Sequence, residues 1–263
     1  MKRKPFYLLV ALLTLAGFLP GGLASTSLPS ALAASPPEVQ WTKTFGGAGY
    51  DFGNSVQATA DGGYIIGGAT KSSGAGGTDI YLIKTDASGN MTWSQTFGGA
   101  NEDYGYSVQQ TTGDGYVITG MTNFANGVGG DVYLIKTDAS GNMTWNRSFG
   151  GAGDDRGNSV QPTSDGGYVI AGYTYSFGAG LNDVYLIKTD ASGNMTWSKT
   201  FGGVSFEYGL SVRTTSDGGY IIVGNTQSFG AGGNDVYLVK TDASGNMVWS
   251  QTFGGTGTDF GES

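Results

Sequence analysis

The chain has 263 residues and contains neither cysteine nor histidine. Without cysteine there are no disulfides, no thiolate nucleophile and no cysteine-based zinc site. Without histidine there is no Ser-His-Asp triad, no imidazole metal ligand and no general base with its usual value near neutral pH. Positive charge is also scarce: 13 Lys and Arg stand against 21 Asp and Glu, for a net charge of −8. Three of those cations, Lys2, Arg3 and Lys4, sit together at the N-terminus. An acidic surface lacks the clustered cations that phosphate contacts need, so no DNA, RNA or anionic membrane surface is expected as a partner. Long apolar runs are missing too. Phe6 to Leu19 is an apolar stretch of 14 residues, short of the roughly 20 that span a bilayer. With the basic residues before it and Ala31-Leu32-Ala33-Ala34 after it, it has the layout of a cleaved signal peptide. The expectation is a signal peptide over 1–34, a linker over 35–40 and a mature protein that is secreted or held at the cell surface. No integral membrane segment remains after cleavage.

Glycine, by contrast, is abundant, at 49 residues, and aromatics make up 13%. The average glycine share is about 7%. Such enrichment with many rings and no G-x-y period points to a β repeat dense in turns. The tryptophans set the period: Trp41, Trp93, Trp145, Trp197 and Trp249 are each 52 residues apart. A fixed period of that size marks a repeat architecture. No segment shows the i, i+3, i+4, i+7 apolar stripe of a helix.

Each unit reads as four strands. In the first copy strand A is Ser55 to Thr59, strand B Tyr64 to Thr70, strand C Asp79 to Thr85 and strand D Met91 to Phe97. Asp61-Gly62-Gly63 supplies a tight turn between A and B, and Asp86 to Asn90 a turn between C and D. Strands B and C are nearly continuous apolar runs, as strands covered on both faces require. Strand D alternates, as a half-exposed edge does. Inner A, middle B and C, and outer D make the blade of a β-propeller. The fold class is therefore all-β: a propeller, or an incomplete propeller arc, of four-stranded antiparallel blades in a repeat domain over 41–263.

The segments Asp61-Gly62-Gly63-Tyr64-Ile65-Ile66, Asp79-Ile80-Tyr81-Leu82-Ile83-Lys84-Thr85-Asp86 and Thr96-Phe97-Gly98-Gly99 resemble those of secreted bacterial and archaeal β-propeller-repeat proteins of the seven-bladed type. The resemblance covers 41–263. It implies a blade scaffold on an exported or surface-attached protein, mostly without assigned chemistry. The blade count departs from that pattern. Strand-D units start at 41, 93, 145, 197 and 249, while A-B-C sets start near Ser55, Ser107, Ser159 and Ser211 only. The domain thus holds four full repeats and a partial fifth, with an orphan strand D expected at 41–47. Truncation, closure by four blades or completion by a partner each fit this count, and an incomplete ring invites self-association.

Catalysis on a repeat needs broken symmetry, because an acid and a base require different environments. Most acids here are in phase: Asp51, Asp103, Asp155, Glu207 and Asp259 form one set, and Asp79, Asp131, Asp183 and Asp235 another. Asp86, Asp138, Asp190 and Asp242 form a third, and Asp61, Asp165 and Asp217 lie in the A–B turns with Asp114 displaced by one. In-phase acids are read as turn caps. Glu102, Asp103, Asp154 and Asp155 are the residues from which a carboxylate-pair, endoglucanase-like hydrolase would be built. No catalytic residue is assigned and no cofactor is implied. Asp86 to Asn90 begins like a calcium loop but lacks the sixth-position Gly and twelfth-position Glu, so no metal site is assigned either. Lys84, Lys136, Lys188 and Lys240, one at the end of each strand C, are expected to pair with a neighbouring Asp.

Variation between copies carries more information than sameness. The D-to-A loop reads Tyr50/Phe52/Asn54, Glu102/Tyr104/Tyr106, Asp154/Arg156/Asn158 and Phe206/Tyr208/Leu210, and the B-to-C loop carries Lys71, Phe124, Tyr175, Phe177 and Phe229 among glycines. Both loops leave a blade on the same face. Phe52, Glu102, Tyr104, Asp154, Arg156, Tyr208, Phe124, Tyr175, Phe177 and Phe229 are therefore the candidate ligand-binding residues. Flat rings beside polar groups suit a glycan or an extended peptide, although some of these rings are also suited to packing between blades. The expected function is a non-catalytic binding or adhesion scaffold, with hydrolase and purely structural repeat as alternatives.

Overall fold

Four antiparallel meanders follow one another along the chain, each spending one repeat on four strands. Blade 1 is β1 (Asp51–Ala58), β2 (Tyr64–Thr70), β3 (Asp79–Thr85) and β4 (Met91–Phe97). Blade 2 is β5 (Glu102–Gln110), β6 (Tyr116–Phe124), β7 (Asp131–Thr137) and β8 (Met143–Phe149). Blade 3 is β9 (Asp155–Pro162), β10 (Tyr168–Thr174), β11 (Asp183–Thr189) and β12 (Met195–Phe201). Blade 4 is β13 (Glu207–Thr214), β14 (Tyr220–Thr226), β15 (Asp235–Thr241) and β16 (Met247–Phe253). The computed structural model describes residues 38–113, 115–124 and 129–261. The segment expected as a signal peptide over 1–34, the first linker residues, Asp114, the side chain of Phe124, residues 125–128, Glu262 and Ser263 lie outside the described residues. No helix occurs among the described residues, and none is long and apolar enough to cross a membrane.

The turns explain the meander. Gly62 adopts φ 84° and Gly89 φ 75°, a left-handed backbone that costs glycine little. Asp86 Oδ1 accepts the amides of Ser88 at 2.9 Å and Asn90 at 2.8 Å, so the residues that begin like a calcium loop close a hairpin instead. Strand A differs from expectation in starting at Asp51, four residues earlier than Ser55. Asp51 pairs with Thr70 and Phe52 with Ala69, and a bulge between Gly53 and Ser55 restores the register. The bulge absorbs the residue that hid this pairing from a strict period of two.

The apolar faces meet between blades. Ile65, Ile80, Leu82 and Phe97 on the back of blade 1 pack on Val108, Tyr116, Ile118 and Ile135 on the front of blade 2. Val117, Val132, Leu134 and Phe149 pack likewise on Val160, Tyr168, Ile170, Tyr185 and Ile187. Val169, Ala171, Val184, Leu186 and Phe201 pack on Val212, Tyr220, Ile222, Tyr237 and Val239. Among the described residues these three junctions carry the core. Val56, the blade 1 counterpart of Val108, Val160 and Val212, is 66% exposed where they are 0% exposed. At the other end Phe253 is 51% exposed, against 9% for Phe97. Among the described residues no further blade covers the front of blade 1 or the back of blade 4; Trp41 lies against the first and the tail to Gly261 against Val236 on the second, and the fold is a propeller-type run of four blades.

The orphan segment 41–47 is not a strand, which corrects the expectation of a fifth strand D. The ladder it would extend belongs to a strand C that precedes blade 1, and no such strand is present among the described residues. The segment still lies where a preceding outer strand would lie. Trp41 meets Tyr64 at 5.7 Å between ring centres, as Trp93 meets Tyr116 at 5.8 Å and Trp197 meets Tyr220 at 5.9 Å.

Candidate functional site

The D-to-A and B-to-C loops are tied to one another at one end of the blades. Within a blade the amides of Lys71, Tyr175 and Gln227 donate to the carbonyls of Tyr50, Asp154 and Phe206 at 2.8–2.9 Å. Between blades the amides of Asp103, Asp155 and Glu207 donate to Thr78, Gly130 and Asn182 at 2.6–2.7 Å. The in-phase acids anchor these loops. Asp155 accepts from the Gly151 amide at 2.9 Å and Ser176 Oγ at 2.6 Å. Glu207 accepts from the Gly203 amide, Thr226 Oγ1 and the Ser228 amide. Asp51 accepts from Thr70, the Gly47 amide and Ser72, and these bonds hold it below the usual carboxylate range. These three acids thus anchor the loops by hydrogen bonds.

One stretch of the rim breaks the symmetry. Asp154, Tyr173, Tyr175, Asn182 and Tyr208 line a hollow of about 580 Å³, together with Gly129, Ala152 and Gly153. Arg156 stands beside it, with its guanidinium carbon 5.1 Å from the centre of Tyr106 and 5.3 Å from that of Tyr173. Arg156 Nη2 lies 4.0 Å from Asp154 Oδ2, which also accepts from Tyr173 Oη at 3.2 Å. Tyr173 and Tyr208 meet edge to face at 5.0 Å, and Phe206 stacks on Tyr208 at 6.3 Å. Burial pushes the Tyr173 hydroxyl well above the tyrosine range and raises that of Tyr106 as well, so both stay protonated. Among the buried polar atoms without a partner, Asp154 Oδ1, Arg156 Nε and Asn182 Oδ1 lie here; Thr78 Oγ1 and Asn234 Oδ1, in the phase of Asn182, share that state, so Asp154 and Arg156 are the ones particular to this stretch. Buried polar atoms are nearly always paired, so such a trio asks for a reason.

Of the ten sequence candidates, Asp154, Arg156, Tyr175 and Tyr208 come together here. The others do not. Glu102 is held by Lys71 at 3.3 Å, Tyr104 Oη at 2.9 Å and the Thr78 amide at 3.2 Å. Those bonds, Thr78 first, keep it below the usual glutamate range. An acid so held is a poor proton donor for glycoside cleavage. Tyr104 thus serves Glu102, and its ring stacks on Tyr106. Phe177 and Phe229 pack on Tyr185 and Tyr237 of their own blades at 5.9 and 5.6 Å. Phe52 stacks on Tyr50 at the uncovered front of blade 1. Sequence reasoning missed Tyr173 and Asn182 and gave Tyr106 no role. Position 173 holds Ala69, Met121, Tyr173 and Asn225 across the four copies, and this variation was the signal available.

A second set of acids lies deeper. A β-carbon on Gly202 would collide with both Asp183 Oδ1 and Glu207 Oε2, and one on Gly254 with Asp235 Oδ1. Burial first, and then Glu207, raise the Asp183 carboxyl above its ordinary value. At the opposite end of the blades three of the four strand-C lysines pair with an Asp as expected. Lys84 reaches Asp61 at 2.8 Å, Lys188 reaches Asp165 at 2.7 Å and Lys240 reaches Asp217 at 2.8 Å.

No family model matches the chain. The regulatory protein FlaEY of Caulobacter vibrioides is 25% identical over 203 residues, which are 64% of this chain and 21% of that protein. The chain therefore spans about a fifth of the length of the curated relative it matches. Among solved structures, the Neurospora crassa Pan2 WD40 domain aligns with a TM-score of 0.48 at 9% identity, over 79% of this chain and 57% of that one.

Proposed function

We propose that this chain is an exported, non-catalytic binding module whose loop rim takes a glycan at the Asp154–Arg156–Tyr208 cluster. The observation that carries this reading is the unpartnered trio of Asp154 Oδ1, Arg156 Nε and Asn182 Oδ1 beside the rings of Tyr173, Tyr175 and Tyr208. Two of those atoms accept hydrogen bonds and one donates. A sugar hydroxyl does both, so a polyhydroxylated ring satisfies all three at once. The neighbouring tyrosines offer flat apolar faces and polar tips to the same ring. The hollow falls within the roughly 300–1,000 Å³ of small-molecule sites. A binding role also accords with the similarity to FlaEY, a regulatory protein. Export is supported by Lys2-Arg3-Lys4, the apolar run to Leu19 and Ala31-Leu32-Ala33.

A glycan array tests the reading. The full chain retains a defined set of oligosaccharides, Tyr208→Ala and Asp154→Asn lose them, and Glu102→Gln keeps them. A chain that retains nothing, or variants that bind like the parent, overturns it. Release of reducing ends that Asp154→Asn abolishes would establish the hydrolase instead.

A further inference from the structure

We infer that the sugar taken by the Asp154–Tyr208 hollow carries a methyl group, as an acetamido or a 6-deoxy sugar does, and that Leu181 and Val204 are the residues that select it. This rests on the glycan reading of the hollow and narrows it to one class of sugar.

The hollow is bordered at two positions by residues with almost no side chain, Gly129 and Ala152. One repeat further on, the same two positions hold Leu181 and Val204. Both are private to that place. The phase of Leu181 is otherwise Gly77, Gly129 and Gly233, and that of Val204 is Ala48, Ala100, Ala152 and Thr256. Neither residue serves the core, since Val204 is 83% exposed and Leu181 39% exposed. Two aliphatic residues found at one junction only, and left in water there, answer to something other than the blade.

The loops bring the two residues together beside the hollow. The Leu181 amide donates to the Ser205 carbonyl at 3.1 Å, and a β-carbon on Gly180 would come within 2.9 Å of Val204 Cα. Asn182 and Tyr208 line the hollow. Leu181 directly precedes Asn182, and Phe206 bridges to Asn182 in parallel register while stacking on Tyr208 at 6.3 Å. The polar wall thus runs out onto an aliphatic step.

The chemistry of that step selects the substituent. The flat face of a sugar ring suits flat aromatic side chains, and those are inside the hollow: Tyr173, Tyr175 and Tyr208. Branched aliphatic side chains offer no flat face. A methyl group needs only close contact and the exclusion of water, which Leu and Val supply. A hydroxyl in its place would be dried against two side chains with no donor or acceptor. Burial of one methyl group corresponds to about a four- to tenfold preference.

Calorimetric titration of the full chain with matched oligosaccharides tests this. Three pairs differ in one terminal group: N-acetylglucosamine against glucose, N-acetylgalactosamine against galactose, and 6-deoxyglucose against glucose. The parent binds the methyl-bearing member of a pair about four- to tenfold tighter, and which pair responds tells an acetyl from a deoxy methyl. Leu181→Ala with Val204→Ala, the latter the residue of three other copies, brings that pair level by weakening the methyl-bearing member alone. Unchanged affinity for the methyl-free member shows that the hollow is intact, whereas Asp154→Asn weakens both. Pairs that the parent binds alike, a preference that survives in the double variant, or equal loss of both members in it overturns the inference and leaves the glycan reading standing. A parent that binds no member of any pair also overturns it, and the array then decides the glycan reading separately.

Discussion

The guanidinium of Arg156 is stacked beside Tyr173, its carbon 5.3 Å from the ring centre, with Tyr106 at 5.1 Å from the same carbon. Position 156 is Phe52, Tyr104 and Tyr208 in the other blades, so a cation replaces a ring at one place only. Cation–π contacts contribute about 0.5–2 kcal/mol each, depending on burial. Arg156→Ala is expected to lower Tm by about 2–4 °C, the shift for a loss of about 1 kcal/mol in a chain of this size, and to abolish ligand binding. Arg156→Lys retains the charge without the planar stack and recovers less than half of either loss. Scanning calorimetry of the three proteins reads the stability.

Burial of the blade faces gives a second prediction. Val160→Ala removes apolar volume from a sealed junction and costs about 2 kcal/mol, counting transfer and cavity together. Val56→Ala, in the same phase on an exposed surface, changes stability by less than about 0.5 kcal/mol in a monomer. Urea unfolding at low protein concentration measures both. Equal losses would mean that the front of blade 1 is covered.

Asp183 gives a prediction for pH. Its folded-state value is raised by burial and by Glu207, so it favours the fold below the unfolded value of about 3.9. That contribution is lost as pH rises through the folded-state value. Asp183→Asn is neutral at every pH and offers an amide toward Glu207 Oε2. It is expected to raise Tm by a few degrees at pH 8 and to give no gain at pH 3. Asp165 runs the other way: Lys188 and Thr163 hold it down to about 2. Its contribution is present above about 3.9 and disappears as pH falls toward 2. Lys188→Met should therefore flatten the acid limb of Tm against pH.

Blade 2 departs from the A–B turn of the others. It reads Gly113-Asp114-Gly115 where they read Asp-Gly-Gly, and Gly113 adopts φ 88°. Lys136 makes no ion pair among the described residues, and burial pushes its ammonium below the usual lysine range. Exchanging the two residues, Gly113→Asp with Asp114→Gly, puts an acid in the phase of Asp61, Asp165 and Asp217, which pair with the lysine in three blades. Tm is expected to rise by about 2–4 °C, for a gain of about 1 kcal/mol. An unchanged Tm would contradict this account of the lysine.

The fold was legible because the 52-residue phase aligns four copies of every strand, and because Asp-Gly-Gly and Asp86 to Asn90 close turns by local chemistry. The start of strand A was not, since the bulge at Gly53 shifts the alternation by one residue. Nor was the state of 41–47: its residues match a strand D, but a strand needs a neighbour and the sequence does not say which is present. At the site, Asp154, Arg156, Tyr175 and Tyr208 stood out as loop residues that differ between copies. Tyr173 and Asn182 did not, because one reads as the apolar end of strand B and the other as a polar residue before strand C. Their approach to Asp154 depends on how consecutive blades pack, and that is decided by Val160, Ile170 and their partners rather than by any local motif.

The central claim is that a glycan sits on the rim between Asp154 and Tyr208. Calorimetric titration of the best oligosaccharide from the array into the parent protein and into Asp154→Asn tests it most directly. The account predicts one site per chain in the parent, with Asp154→Asn at least about tenfold weaker, the loss of roughly 1.4 kcal/mol or more expected when a charged hydrogen-bond partner is removed. Equal affinity in the two proteins, or four equivalent sites per chain in step with the repeat, would contradict it.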